Sequence, residues 1–367
     1  MSKKSLTAVL TGLLLSSLLT TDIYAAEVQN LYGEEVPVLT QGRQERFSVL
    51  QKALRNVLIR VSGRSDVAQM PGMDSQLKQA SRFVQQYRYR TSPEPVIEPD
   101  SGKETNQVLW IRFNEKAVNQ LLLSQRLPVW GKTRPAVLVW LVIDDRKQRQ
   151  LISNDSNHEI RHIFNDEARV RGLPLRFPLL DLTDRTNISI SDIWANFEDS
   201  ILAASRRYQA EAVLVGRVYQ GYSGAWNARW SLYNQGRRQD WESGDEQLAT
   251  TVAQGVNQSS DYLASRFAQV QQEGEQSQLL IKVNAVKGLA EFNKVRDYLD
   301  SLTAVTRVQP YLVSSNEVTF QLTTRSGRLA VEQAISLGST LVAEQPDVTK
   351  GNPVAPQQTE LLYRLIQ

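Results

Sequence analysis

Cysteine is absent from the 367-residue chain, and the only histidines are His158 and His162. We therefore expect neither disulfide bonds nor a thiolate nucleophile, nor a lipid anchor of the kind that needs a cysteine at the cleavage point. No G-x-S-x-G sequence occurs, and two histidines in one short segment do not favour a Ser-His-Asp triad. The sequence gives little support to nucleophilic catalysis.

Charge of one sign is also lacking. The 42 basic and 39 acidic side chains give a net charge of +3, and without residues 1–25 the balance is 40 against 38. This near-neutrality gives no general attraction to nucleic acid, so no nucleic-acid partner is predicted. No glycine-rich phosphate loop follows a predicted strand, so no nucleotide or other cofactor is predicted.

The N-terminus does carry a pattern. Lys3 and Lys4 precede an apolar stretch from Leu6 to Leu19, and small residues follow at positions 25 and 26. This order predicts a cleavable signal peptide over residues 1–25, with an uncleaved anchor helix as the alternative. No later run is long enough to cross a membrane. A secreted chain without disulfides favours the bacterial periplasm, which is our predicted location.

Three modules with different patterns follow. Residues 28–127 predict a β-α-(α)-β-β-α module, in which apolar residues from Phe47 to Val61 repeat at helical spacing and Gly63 ends the helix. Residues 128–273 predict a central α/β domain with a mostly parallel sheet, because apolar strands alternate with helices. Its edge is a predicted antiparallel hairpin that turns at positions 235–237.

The polar segment 271–278 predicts a linker to the third module. Residues 277–345 predict a ferredoxin-like α+β module, with a last short strand near Thr340–Ala343. The proline-rich residues 346–367 predict a disordered tail. The predicted fold class is thus a combination of α/β and α+β modules.

Several blocks resemble a known family. "VPVLTQGRQERFSVLQKALRNVLIRVSG", "RGLPLRFPLLDLTD", "ASRRYQAEAVLVGRV" and "WNARWSL" are similar to segments of the domain of unknown function 2066 family, and they occur in the same order. The resemblance covers roughly residues 28–240. It implies a secreted gammaproteobacterial protein of this fold, and it implies no activity or catalytic residues.

Residues 158–162 read His-Glu-Ile-Arg-His, the H-E-x-x-H pattern of zinc peptidases. In those enzymes both histidines bind zinc from one helix face, and Glu159 would activate the bound water. At 100° per residue, however, Ile160, Phe164 and Ala168 form the buried stripe, and His158 and His162 lie opposite it. We therefore predict a solvated helix face without metal, and we keep a zinc site of His158 and His162 as the alternative.

Polar residues follow the predicted strands of the central domain. Asp144, Asp145 and Asp181 stand at strand ends, Asp184 follows, and Arg217 ends another strand. In open α/β sheets ligands bind beyond the carboxyl ends of the strands, so these side chains are candidate ligand-binding residues. The alternative is that the aspartates cap helices or order loops.

Aromatic residues gather around the predicted hairpin. Trp226 and Trp230 are four residues apart and share one strand face, which could form a partner or glycan surface or could pack in the core. From these patterns we predict a non-enzymatic binding or accessory protein whose partner is an envelope protein or a cell-wall component. The alternatives are a zinc-dependent hydrolase and a protein that binds a small ligand or metal at the strand ends.

Overall fold

The computed structural model describes residues 26–98, 101–268, 277–302, 304–324, 327–338, 340–344 and 360–366. These residues form three modules with mixed α/β structure, which confirms the predicted fold class. The predicted signal peptide, the predicted linker apart from positions 277 and 278, and most of the predicted tail lie outside the described residues. No helix among the described residues is both long and apolar enough to cross a membrane.

The N-terminal module is a three-stranded antiparallel sheet covered on one face by a long helix. The sheet order is β2-β4-β3, and the short β1 pairs instead with β5 at the start of the central domain. The helix forms where the sequence predicted it and ends at Gly63, whose φ of 71° places it in the left-handed region that glycine adopts without strain. The elements are β1 (Ala26–Glu27), β2 (Gly33–Pro37), α1 (Arg43–Ser62), α2 (Met73–Leu77), β3 (Val84–Ile97), β4 (Glu104–Phe113) and α3 (Glu115–Ser124).

The central domain has a mixed sheet with helices on both faces. Strand order is β11-β10-β9-β6-β7, and β8 pairs with the first residues of β6. Pairing is parallel between β6 and both β8 and β9 and antiparallel elsewhere, so the sheet is mixed and not mostly parallel as predicted. The elements are β5 (Thr133–Arg134), β6 (Val137–Asp144), β7 (Arg149–Ile152), α4 (Glu159–Arg171), β8 (Leu175–Arg176), α5 (Leu182–Asn187), α6 (Ile190–Ala195), α7 (Glu198–Ser205), β9 (Ala212–Gln220), β10 (Trp226–Asn234), β11 (Arg237–Asp245) and α8 (Leu248–Phe267).

Two cores fill this domain. Alternate residues of β6 and β9 pack beneath α4 and α8 on one face, and the residues between them pack beneath α6 and α7 on the other. Burial on both faces explains why β6 is a continuous apolar run, "VLVWLVID". The predicted hairpin is confirmed as β10 and β11, which turn at Gln235 and Gly236.

The C-terminal module has five strands in the order β13-β14-β12-β16-β15. Its first six elements follow the predicted β-α-β-β-α-β order, but part of the predicted tail forms a further strand, β16. The prediction of disorder is therefore wrong for residues 360–366. The elements are β12 (Ser277–Asn284), α9 (Leu289–Ser301), β13 (Val305–Val313), β14 (Glu317–Thr324), α10 (Gly327–Ser336), β15 (Leu341–Ala343) and β16 (Glu360–Leu365).

Strand β16 lies inside the C-terminal sheet. It pairs in parallel with β12 and antiparallel with β15, so it occupies the place beside β12 that a ferredoxin-like sheet gives to its fourth strand. The alternation "ELLYRL" places Leu361, Tyr363 and Leu365 in the core, each less than 9% exposed. The proline-rich composition before residue 360 concealed this short amphipathic strand.

Candidate functional site

The predicted carboxylates of the β6–β7 turn are used to order that turn. Asp144 forms an ion pair of 2.9 Å with Arg149. Asp145 accepts backbone N–H groups of Gln148 and Lys147 at 2.9 and 3.0 Å, and these bonds lower the pKa of Asp145. Both residues therefore have the loop-ordering role that was the alternative interpretation.

Asp181 and Asp184 belong to a different cluster. Asp181 caps α5 by accepting the N–H of Asp184, and Arg207 donates to both carboxylates at 2.6–2.9 Å. These bonds hold the pKa of Asp181 well below its usual range. Tyr208 donates to Asp184, and burial together with this bond raises the pKa of Tyr208 to about 12. The cluster ties α5 to the residues after α7.

Arg217 joins neither pair of aspartates. Its side chain is half-buried on β9, where Nη2 donates to the hydroxyl of Ser231 at 3.3 Å. Burial and the nearby Arg229 lower the pKa of Arg217. The hydroxyl of Ser231 in turn donates to Asp240 at 2.6 Å. The five predicted ligand-binding residues thus belong to three separate hydrogen-bonded clusters.

Trp226 and Trp230 pack against the core and do not form a partner or glycan surface. Trp230 is fully buried and Trp226 packs partly against the same core beneath α8. The Trp230 ring lies between two residues without side chains, Gly216 of β9 and Gly255 of α8, and its Nε1 donates to Ser243 at 2.8 Å. Core packing, which was the alternative, describes both residues.

The H-E-x-x-H segment does not present two histidines from one helix. His158 lies at the cap position before α4, where its Nδ1 accepts the N–H of Ile160 at 3.1 Å. His162 is exposed, as the helical spacing predicted. Among the described residues no group of three or more His, Asp or Glu side chains is placed to hold a metal ion. The zinc alternative therefore lacks its ligand geometry.

A different site lies between the N-terminal module and the central domain, where three arginines are buried. Arg134 is fully buried and donates to five backbone carbonyl groups at 2.7–3.0 Å, those of Arg60, Trp130, Gly131, Arg171 and Gly172. Three of these carbonyls end α1 and α4, where the helix dipole is negative. Arg134 also stacks 4.2 Å above the Trp130 ring. Burial and the charges of Arg60 and Arg171 lower its pKa, although arginine keeps its proton in proteins.

The other two arginines connect the same elements. Arg171 donates to Gly63 at 2.7 Å and to Asp261 of α8 at 2.5 Å. Asp261 also accepts from the backbone and the hydroxyl of Ser65 at 3.0 and 2.7 Å. Arg60 donates to Glu34, and through Nε to the carbonyl of Val170 at 3.2 Å. These bonds join α1 to α4 and α8 across the boundary between the two modules.

A cleft of about 460 Å³ opens at this junction. We call it the interdomain cleft. Its position is set by β2 and β4 on one side and by the end of α4 on the other. Its principal lining residues are Glu34, Arg60, Arg90, Trp110, Arg169 and Leu173.

The sequence patterns did not predict this cleft. One signal, however, indicated that one of its lining residues, Arg60, is buried. Arg60 follows Ala53 by seven residues, so it lies on the buried face of α1. A charged residue on such a face must have a partner, because an unpaired buried charge is costly. The partner, Glu34, could not be identified because it lies on a strand 26 residues away, and single-sequence periodicity carries no information about such pairs.

Comparisons with known proteins add a family model and likenesses to solved structures. Residues 25–131 match the model of a domain of unknown function (DUF8605). No curated protein matches the chain. One solved structure, described as an uncharacterized protein, is 13% identical over 36% of this chain and 98% of its own, with a TM-score of 0.15. Neither description names an activity, a ligand or a partner.

The family match corrects the resemblance drawn from the sequence. The matching model is not that of the domain of unknown function 2066 family, and it ends before the central domain, where three of the four quoted blocks lie. Those blocks encode an amphipathic helix and two-sided buried strands, which are patterns that many α/β domains produce. Sequence patterns that are typical of the fold were therefore taken, wrongly, as evidence for one particular family.

Proposed function

We propose that this chain is a non-enzymatic binding or accessory protein of the bacterial periplasm, and that it holds its partner in the interdomain cleft. The observation that carries the proposal is the junction itself: buried arginines join the two modules on either side of a cleft of about 460 Å³. This volume is within the usual range for ligand sites, which occur preferentially between domains.

The periplasmic location rests on the signal-like N-terminus. Cells producing the chain with a C-terminal tag should release it on osmotic shock, with its N-terminus processed near residue 25. A variant without residues 1–25 should remain in the cytoplasm. Retention of the full chain in the cytoplasm or in the membrane fraction would contradict this part of the proposal.

The partner can be tested by photo-cross-linking in cells. A photoreactive amino acid at Gln29, which lines the cleft, should give a discrete adduct with an envelope protein or a cell-wall fragment. The same amino acid at Lys78, an exposed residue of the same module, serves as the control. Equal labelling from both positions, or no adduct from Gln29, would argue against the cleft as the binding site.

A further inference from the structure

We infer that the interdomain cleft binds an oxyanion, a carboxylate or phosphate group, between Arg90 and Arg169. This inference rests on the proposed function and adds to it the chemistry of the bound group. Both arginines line the same cleft, one from β3 and one from the last turn of α4. Their guanidinium groups are the feature that selects the ligand.

The guanidinium group of Arg169 has N–H donors without a hydrogen-bond partner among the described residues. Its Nη1 lies 3.5 Å from Oε1 of Glu34, well beyond the 2.7–2.9 Å of a strong charge-assisted bond. The carboxylate of Glu34 is already bonded to Arg60 and is almost fully buried. Arg169 is 61% exposed, and among the described residues its side chain donates no hydrogen bond. The remaining guanidinium N–H groups are therefore open to a ligand.

The Trp110 ring orients the side chain of Arg90, and no strong ion pair offsets its charge. Its guanidinium lies 4.6 Å above the centre of the Trp110 ring, and this stacking fixes the plane while leaving the N–H edge open. The carboxylate of Glu35 is 3.9 Å away, at the limit of an ion pair, and both side chains are about half exposed. Such an exposed pair contributes little, so a competing anion can replace Glu35 at small cost.

The charges around the cleft favour an anion. Three arginines line it against two glutamates, and the buried glutamate is committed to Arg60. A carboxylate or phosphate offers several oxygens, which match the forked donors of two arginines. Leu173 and Pro174, which also line the cleft, would contact the apolar part of the same ligand.

The test is calorimetric titration of residues 26–367 with two probes, inorganic phosphate and citrate, at constant ionic strength. We expect saturable binding of at least one probe, and the two arms distinguish a phosphate ligand from a carboxylate ligand. The Arg90→Ala/Arg169→Ala double variant should weaken that binding at least about tenfold, since two charge-assisted bonds are lost. Its melting temperature should stay close to that of the parent, because both side chains are exposed.

The matched control is the Arg88→Ala/Arg112→Ala variant. It removes the same charge from exposed positions of the same sheet that do not line the cleft, and its affinity should stay within about twofold. Saturation by neither probe, or equal weakening in both double variants, would overturn the inference. If the probes fail while the Gln29 adduct persists, the cleft binds a partner without an oxyanion. If the adduct is also absent, the proposed function fails as well.

Discussion

At the scale of single residues, the unusual feature is a buried arginine that has no acidic partner among the described residues. Carbonyl groups at the ends of α1 and α4 stabilise the charge of Arg134, so helix dipoles take the place of a carboxylate. Its sequence context, a proline-flanked loop before β6, gives no sign of burial. Arg134 is buried because the N-terminal module packs against the central domain at this position. The periodicity of a single sequence carries no information about such packing.

Removal of Arg134 should destabilise the junction between the two modules. Arg134→Ala removes the charged donor of a buried hydrogen-bond network, so we expect a loss of about 3–5 kcal/mol in the free energy of unfolding. Arg134→Lys should recover only part, since lysine has three donors in place of five. Urea denaturation measures both losses, and the exposed Arg206→Ala is the control. A loss below about 1 kcal/mol for Arg134→Ala would contradict this account.

Asp181 predicts a pH dependence. Because Arg207 and the α5 backbone lower its pKa in the folded chain, the carboxylate stabilises the fold above the unfolded pKa of about 3.9. That contribution is lost as the pH falls toward the lower folded pKa. The stability difference between the parent and Asp181→Asn should therefore be constant from pH 7 to about pH 5 and shrink between about pH 4 and 2.

Urea denaturation at a series of pH values measures this difference. Asp166→Asn, at an exposed position of α4, is the control and should show no such trend. A difference between the parent and Asp181→Asn that grows on acidification would be inconsistent with the sign of the pKa shift.

At the scale of helices and strands, the sequence was most informative where one period extended over many residues. Helix α1 and strands β6 and β10 were predicted because their apolar spacing persists. Shorter elements were missed. The apolar segment 173–181 forms a strand of only two residues, because Pro174 and Pro178 lack the N–H that a ladder needs. The segment 189–208, which has helical spacing throughout, is divided at Asn196, whose φ of 58° is left-handed.

Helix α8 packs closely on the central sheet through a glycine. A Cβ at Gly255 would lie 2.4 Å from the Trp230 ring, which itself is held against Gly216 of β9. Alanine is favoured over glycine in a helix by about 1 kcal/mol, but this overlap with a confined ring outweighs that gain. We expect Gly255→Ala to be destabilising by about 1–3 kcal/mol in thermal denaturation.

The control for this prediction is Gln258→Ala, at an exposed position of the same helix. It changes helix propensity without meeting the sheet and should be neutral. Stabilisation by Gly255→Ala would show that α8 can move away from the sheet without cost.

At the scale of the whole molecule, changes in pattern predicted three modules, but they did not predict the contacts between those modules. The interdomain cleft and its arginines depend on pairs of residues far apart in the chain. The C-terminal module contacts the central domain through Leu337, which joins the core beneath α8. Strand β16 completes the sheet of the C-terminal module, although its residues had been predicted to lie in a disordered tail.

A chain that ends after residue 344 tests the role of β16. It loses three buried side chains, Leu361, Tyr363 and Leu365, at a cost of about 2–5 kcal/mol each, which exceeds the stability of a small module. Amide hydrogen exchange should show loss of protection over residues 277–324, while α1 and β6 stay protected. Replacement of residues 346–358 by an equally long Gly-Ser segment is the control. Continued protection of β12 in the shortened chain would contradict the prediction.

The interior place of β16 also affects the order in which the protein matures. Until β16 has docked, the gap between β12 and β15 is empty and both strands present unpaired edges. During that interval an extended segment from a neighbouring chain can fill the gap, producing an entangled dimer by strand exchange.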